Sequence, residues 1–117
     1  DLALDTFPYT SHTTLSDALW CGCPAVGLRG ETFAARVSAS LLTAAGLPDL
    51  ITHDLHQYER LAVRLATEPA FLQQARARTR QARESSSLFD SEAFTRVLER
   101  LYQSVASGSL ASGGDHA

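Results

Sequence analysis

The chain has 117 residues, and its ten basic side chains, all arginine, stand against thirteen acidic ones, for a net charge of −3. That balance leaves no basic surplus for binding a nucleic-acid backbone, and 44% hydrophobic content suits a folded domain rather than a disordered chain. No apolar run approaches the ~20 residues of a membrane span, and no basic-then-apolar leader opens the sequence, so neither nucleic acid nor membrane is expected as a partner.

The two cysteines, Cys21 and Cys23, are one residue apart, too close for an unstrained disulfide. They read as small buried residues of a reducing compartment, which points to a cytoplasmic location. A metal centre of Cys21, Cys23 and His12 would need a fourth ligand that the spacing does not offer. No metal and no cofactor are expected.

Leu2-Ala3-Leu4 reads as a short buried strand already under way at the first residues, as in a piece of a larger protein. Asp5-Thr6-Phe7-Pro8 ends it, with Phe7 biased to extended geometry by the proline that follows. Thr13 to about Cys21 reads as a helix with Leu15, Ala18 and Leu19 on one stripe, capped by Thr13 or Ser11 and stopped at Gly22. Pro24 to Leu28 is a second buried strand. A second helix is expected from Glu31 to about Ala45, with Phe33, Val37, Leu41 and Ala44 as its apolar stripe and Gly46 as its stop before Pro48. Asp49-Leu50-Ile51-Thr52 is a third strand.

Beyond it the pattern turns helical. Asp54 with Gln57 forms a capping box ahead of Leu55, Tyr58, Ala62 and Leu65. Thr67 is expected to cap a helix with Pro69 in its first turn. Ser85-Ser86-Ser87 is a loop, and Asp90 or Ser91 caps a last helix whose stripe is Phe94, Val97, Leu98, Leu101, Tyr102 and Val105. The Gly/Ser-rich residues 107–117 are expected to be disordered. Alternating strands and helices predict an α/β fold with a doubly wound parallel sheet. The division expected is an α/β portion over 1–52, C-terminal helices packing on it over 53–106, and the tail.

Ligands on such sheets bind beyond the carboxyl ends of the strands. The loop leaving the first strand there delivers Ser11-His12-Thr13-Thr14-Leu15-Ser16-Asp17. Free N–H groups at a helix start, with hydroxyls and an imidazole beside them, suit a phosphate. Asp17 lies three residues after Thr14 and four after Thr13, so all three share a helix face. A carboxylate would repel a diphosphate, but one turn deeper it can accept hydrogen bonds from a ribose diol. Arg29-Gly30-Glu31-Thr32 after the second strand offers a second helix start near the same edge, or simply a left-handed turn at Gly30 and an acidic first turn. The arginine series Arg76, Arg78, Arg80 and Arg83 reads as a solvated face. No G-x-G-x-x-G or G-x-x-x-x-G-K occurs. Neither Ser11 nor Ser16 has the third group that would orient His12 as a nucleophile's base.

Several runs, in this order, resemble the C-terminal end of the O-GlcNAc transferase / SPINDLY-like glycosyltransferases. They are Leu4-Asp5-Thr6, His12-Thr13-Thr14 with Asp17, Leu19-Trp20-Cys21-Gly22, Pro24, Gly30-Glu31-Thr32, Arg36-Val37, Ser40, Ser86-Ser87-Leu88-Phe89-Asp90 and Leu98-Glu99-Arg100-Leu101-Tyr102. The resemblance covers roughly residues 1 to 103. It implies the end of a Rossmann-like half of a GT-B glycosyltransferase, followed by a helical C-terminal segment. It also implies a donor, UDP-N-acetylglucosamine, whose sugar passes to Ser or Thr of an acceptor protein without a metal. SPINDLY relatives use GDP-fucose instead.

By the same resemblance His12, Thr13 and Thr14 contact the diphosphate, Asp17 binds the ribose, and Tyr9 and Ser11 are candidates for the sugar pocket. Tyr9-Thr10-Ser11 stands where animal members carry a smaller Cys-Asn-Gly lead-in. The catalytic base, the facing half of the cleft and a tetratricopeptide region would lie outside these residues, so no catalytic residue is expected among them. A non-catalytic helical interaction module, with the stripe from Phe94 to Val105 as its partner surface, is the alternative, and hydrolysis or epimerisation of a sugar nucleotide at the same site is a third reading.

Overall fold

A computed structural model describes residues 1–108. The tail expected over 107–117 lies outside the described residues apart from Ser107 and Gly108. Three strands, β1 (Ala3–Leu4), β2 (Ala25–Leu28) and β3 (Ile51–Thr52), form a parallel sheet in the order β1-β2-β3. Ala3 lies opposite Ala25, and Gly27 opposite Ile51. Parallel neighbours need a crossover, supplied here by α1 (Thr13–Trp20) and α2 (Val37–Ala44). β2 is central and packs against α1, α2 and α3 (Leu55–Thr67). Covered on both faces, it reads as a continuous apolar run rather than an alternating one. α2 approaches so closely that a Cβ on Gly27 would stand 2.8 Å from Leu42 Cδ1. The Thr52 hydroxyl donates to the Gly27 carbonyl over 2.7 Å, which ties β3 to β2 by a side chain.

The core gathers Leu15 and Leu19 of α1, Ala25 and Val26 of β2, Leu42 of α2, Leu47 and Leu50 of the following turn, and Leu65 of α3. α4 (Pro69–Ser85) packs against both α1 and α3 and adds Ala75 and Ala82. Each of those leucines is essentially solvent-free, so trimming any one to alanine is worth about 2–5 kcal/mol.

The helix stops follow the glycines. Gly22 and Gly46 have φ of 79° and 75°. Each closes a Schellman pair: Cys23 N–H to Ala18 C=O with Gly22 N–H to Leu19 C=O, and Leu47 N–H to Leu42 C=O with Gly46 N–H to Thr43 C=O. The starts hold more surprises. α1 is preceded by His12, whose side chain makes no capping bond, so neither Thr13 nor Ser11 caps it. Asp54 caps α3 through the Gln57 N–H at 2.7 Å, and the Gln57 side chain returns to the His53 N–H, one residue earlier than in the usual box. Thr67 does not cap α4. It is the last residue of α3, its hydroxyl bonds to Val63, and Glu68 precedes Pro69 without a side-chain cap. Asp90, not Ser91, caps α5 (Ser91–Ala106) through the Ala93 N–H.

α2 departs most from expectation. It begins at Val37, not Glu31, and residues 31–36 form successive bends and turns. Phe33 is 83% exposed, and the inward face is Ser38, Ala39 and Leu42 instead of Val37, Leu41 and Ala44. Gly30 is not left-handed; it is needed because Ala35 folds back so closely that a Cβ there would meet the Ala35 Cβ at 2.6 Å. The third strand is also shorter than expected, since Pro48–Leu50 is a 3-10 turn. Ser87–Phe89 forms another 3-10 turn, which carries the chain into α5. α5 packs on that turn and buries none of its residues; Phe94, Val97, Leu101, Tyr102 and Val105 all stay exposed. The stripe is real, but it does not lie on the α/β portion.

Candidate functional site

The carboxyl ends of the three strands lead into the loops that hold the candidate residues. β1 ends at Leu4, and Asp5 turns the chain into a loop that reaches His12. Asp5 is buried. Its Oδ1 accepts the N–H groups of Thr6 at 2.9 Å and Ser11 at 2.8 Å, and its backbone carbonyl accepts the Tyr58 hydroxyl at 2.8 Å. Burial, and then the charge of Asp5, push the Tyr58 hydroxyl above its ordinary value, so it stays a donor. Thr10 is also buried. Its N–H and hydroxyl both donate to the Ala34 carbonyl, and its hydroxyl accepts the Ser38 N–H. The loop after β1 is thus bound to α3, to the turns before α2 and to the first turn of α2 itself.

This anchored loop presents the expected set. His12 stands at the N-cap of α1, and Thr13 and Thr14 are its first two residues, both exposed. Asp17 is exposed one turn further along. Among the described residues no side chain takes the first N–H groups of α1, and the side chains of Thr13, Thr14 and Asp17 have no hydrogen-bond partner. The Tyr9 ring stacks on the His12 imidazole, 4.8 Å between centroids and 20° from parallel. His12 Nε2 is buried and has no hydrogen-bond partner among the described residues. Ser11 is half-buried, between the Asp5 bond and the helix start.

The second helix start expected at Glu31 does not form there; α2 begins at Val37, and its Ser38 N–H reaches the loop after β1 through the Thr10 hydroxyl. The first turn of α2 follows Arg36, and the Thr32 hydroxyl accepts the Ala35 N–H within its own turn. Instead, the loops after all three strands enclose a cleft of about 400 Å³ lined by Phe7, Pro8, Leu28, Arg29, Thr32 and His53. A larger cleft, about 720 Å³, runs along α3 past Arg60 and Arg64, and none of the candidate residues lines either cleft. Open sheets take ligands at the carboxyl edge, where Phe7 and Pro8 of the loop that leads to His12 line the smaller cleft. Cys21 and Cys23 lie past the far end of the eight-residue α1 from His12, about 12 Å away along the axis. Among the described residues no three His, Cys, Asp or Glu side chains gather as metal ligands, and no helix is long and apolar enough to cross a membrane.

Asp5, Thr10 and Tyr58 were not singled out from the sequence as parts of the site. An acid directly after a buried strand was the available signal for Asp5; for Tyr58, at helical spacing with core leucines, there was none.

Residues 1–98 match the sequence model of glycosyl transferase family 41. The chain belongs to that family. It is 39% identical over 105 residues to the "Probable UDP-N-acetylglucosamine--peptide N-acetylglucosaminyltransferase SPINDLY" of Hordeum vulgare, covering 90% of this chain and 11% of the relative. It is 41% identical over 101 residues to the UDP-N-acetylglucosamine--peptide N-acetylglucosaminyltransferase of Caenorhabditis elegans, covering 86% of this chain and 9% of the relative. The chain therefore spans about a tenth of the length of these family members. A solved structure of a Thermobaculum terrenum O-GlcNAc transferase point mutant superposes with a TM-score of 0.80 at 39% identity, covering 86% of this chain and 19% of that one. The α/β fold of the family 41 chain is accordingly that of the end of a Rossmann-like half of a GT-B glycosyltransferase.

Proposed function

We propose that this chain is the nucleotide-sugar-binding C-terminal part of a protein O-GlcNAc transferase, which passes N-acetylglucosamine from UDP-N-acetylglucosamine to Ser or Thr of an acceptor protein. The observation that carries the reading is the start of α1. It is uncapped, it lies at the carboxyl end of β1, and it is flanked by exposed threonines and an imidazole. The names of the relatives supply the chemical class.

In this reading the diphosphate sits on the first N–H groups of α1, where the helix dipole favours negative charge. His12 and the hydroxyls of Thr13 and Thr14 donate to it. As the bond from the sugar to the β-phosphate breaks, charge grows on the leaving diphosphate, and donors already in place stabilise it without reorganising. Asp17, one turn along, accepts from the ribose diol. Tyr9 and Ser11 border the sugar. The helix start and His12 answer the phosphate charge, so the reading calls for no metal. The base that activates the acceptor, the facing half of the cleft and an acceptor-presenting tetratricopeptide region belong to the rest of the polypeptide, so the 117 residues alone are expected to be catalytically silent. GDP-fucose in place of the UDP sugar is the closest variant of this reading.

The exposed stripe of α5 favours a second reading, a helical interaction module in which the His12 turn merely starts a helix. Titration of UDP into the protein that carries this chain separates the two. Binding that weakens in His12→Ala and Thr14→Ala, with transfer slowed by about 2–4 kcal/mol per donor and little loss of melting temperature, supports the transferase. Absence of UDP binding overturns it and leaves the module.

A further inference from the structure

We propose that Asp5 is a positioning residue for the diphosphate site. The inference rests on the reading of the α1 start given above, and it concerns a residue that touches no part of the ligand. Asp5 is 5% exposed, at the hinge between β1 and the loop. Its backbone N–H is held by the Val26 carbonyl at 3.1 Å and its own carbonyl by the Tyr58 hydroxyl at 2.8 Å, so its backbone is fixed to β2 and α3. From that fixed point Oδ1 reaches both ends of the loop, taking the N–H of Thr6 at 2.9 Å and that of Ser11 at 2.8 Å. Hydrogen bonds from N–H groups to a carboxylate are among the stronger ones.

Ser11 directly precedes His12, whose side chain does nothing to cap α1. The bond to Asp5 is therefore the last hydrogen bond the loop makes before the helix begins. The direction in which the first turn of α1 points, and with it the placing of His12, Thr13 and Thr14, is set through that bond. Thr10, bonded to Ala34 and Ser38, holds the loop against α2 but leaves the next step of the chain to Asp5. The other carboxylate oxygen, Oδ2, is buried and has no partner among the described residues. Unpaired buried polar atoms are rare and need a reason. A residue whose job is to hold two N–H groups with one oxygen leaves the second oxygen over.

The test compares UDP with uridine, which lacks the diphosphate, in the whole protein that carries this chain. Asp5→Ala is expected to weaken UDP about tenfold, the scale of a modest misplacement of binding groups, while uridine affinity stays within about twofold and circular dichroism is unchanged. Asp5→Asn, which keeps an acceptor oxygen for the two N–H groups, is expected to recover part of the loss. A folded Asp5→Ala protein with unchanged UDP affinity overturns the proposal, as does an equal fall for UDP and uridine, which is the mark of a purely structural role. If Asp5→Ala does not fold, Asp5→Asn decides by the same criterion, the ratio of the two affinities. Failure of the wild type to bind UDP would appear before any variant is made, and it would overturn the functional reading and this inference with it.

Discussion

The Tyr9 ring covers one face of the His12 imidazole. The imidazole is half-buried, its Nε2 is enclosed, and its neighbour is itself 64% exposed. Tyr9 thus acts as a wall that narrows the orientations open to His12 while presenting its own outer face to the site. Tyr9→Ala removes the wall and should weaken UDP by about 0.5–1.5 kcal/mol, the worth of an aromatic pair. Tyr9→Phe keeps the stack and should bind UDP as the wild type does. If the phenol hydroxyl also meets the donor sugar, Tyr9→Phe should lower affinity for UDP-N-acetylglucosamine but not for UDP. Calorimetric titration with both ligands reads each effect separately.

Asp17→Asn addresses the ribose. A carboxylate accepts two hydrogen bonds from a diol, whereas an amide offers one acceptor and a misplaced donor. The loss should be about 1.5–3 kcal/mol, the scale of a hydrogen bond to a charged group. Because ribose does not react, KM for the donor should rise far more than kcat falls. The Asp17 side chain is exposed and makes no hydrogen bond among the described residues, so melting temperature should stay put. An unchanged UDP affinity in the folded variant would remove Asp17 from the site.

An acid-side prediction concerns Asp49 and Arg78, neither of which lines the cleft at the carboxyl edge. Both guanidinium arms meet the carboxylate at 2.6 Å, and one also reaches the Gly46 carbonyl, so α4 is clamped to the turn after α2. The hydrogen bond from Arg78 holds the Asp49 carboxyl below its ordinary value, against the opposing effect of burial. A depressed folded value means that the stabilisation is present above the ordinary carboxylate range and disappears as pH falls through the folded value. Arg78→Ala should lower the melting temperature at pH 7, and wild type and variant should converge in strong acid. Both side chains are nearly half exposed, so the effect should be at most ~1 kcal/mol. A gap that persists undiminished at low pH would locate the role of Arg78 in packing rather than charge.

The sequence was most legible where structure is decided locally. Gly22 and Gly46 stop their helices because a left-handed residue closes the Schellman bonds within six residues of chain. Thr13 to Asp17 fall on one short helix, with His12 at its N-cap, because the apolar spacing of Leu15 and Leu19 already requires it. The start of α2 was misread because residues 31–36 carry a helical pattern that distant bonds override. Thr10 takes the Ala34 carbonyl, and Gly30 takes that of Ala35, which spends on turns the carbonyls a helix would need. Asp5 and Tyr58 escaped notice for the same reason: their bond joins residues 53 positions apart. What lay hidden in the candidate site was the scaffold behind it, since only the presented side chains are neighbours in sequence.

Trp20 is the single tryptophan, and it closes α1 at the end opposite His12. Arg83 of α4 lies over its ring at 4.4 Å, and Phe89 meets its edge at 5.2 Å. Its emission therefore reports whether α4 and the turn before α5 are docked on α1. Loss of that docking changes the light directly, by baring an indole that is already about half wet. A nucleotide arriving at the far tip, about 12 Å along the helix axis, has no direct contact with this fluorophore. Within these 117 residues intrinsic fluorescence thus reports the docking of α4 on α1, and ligand titrations need a probe placed elsewhere.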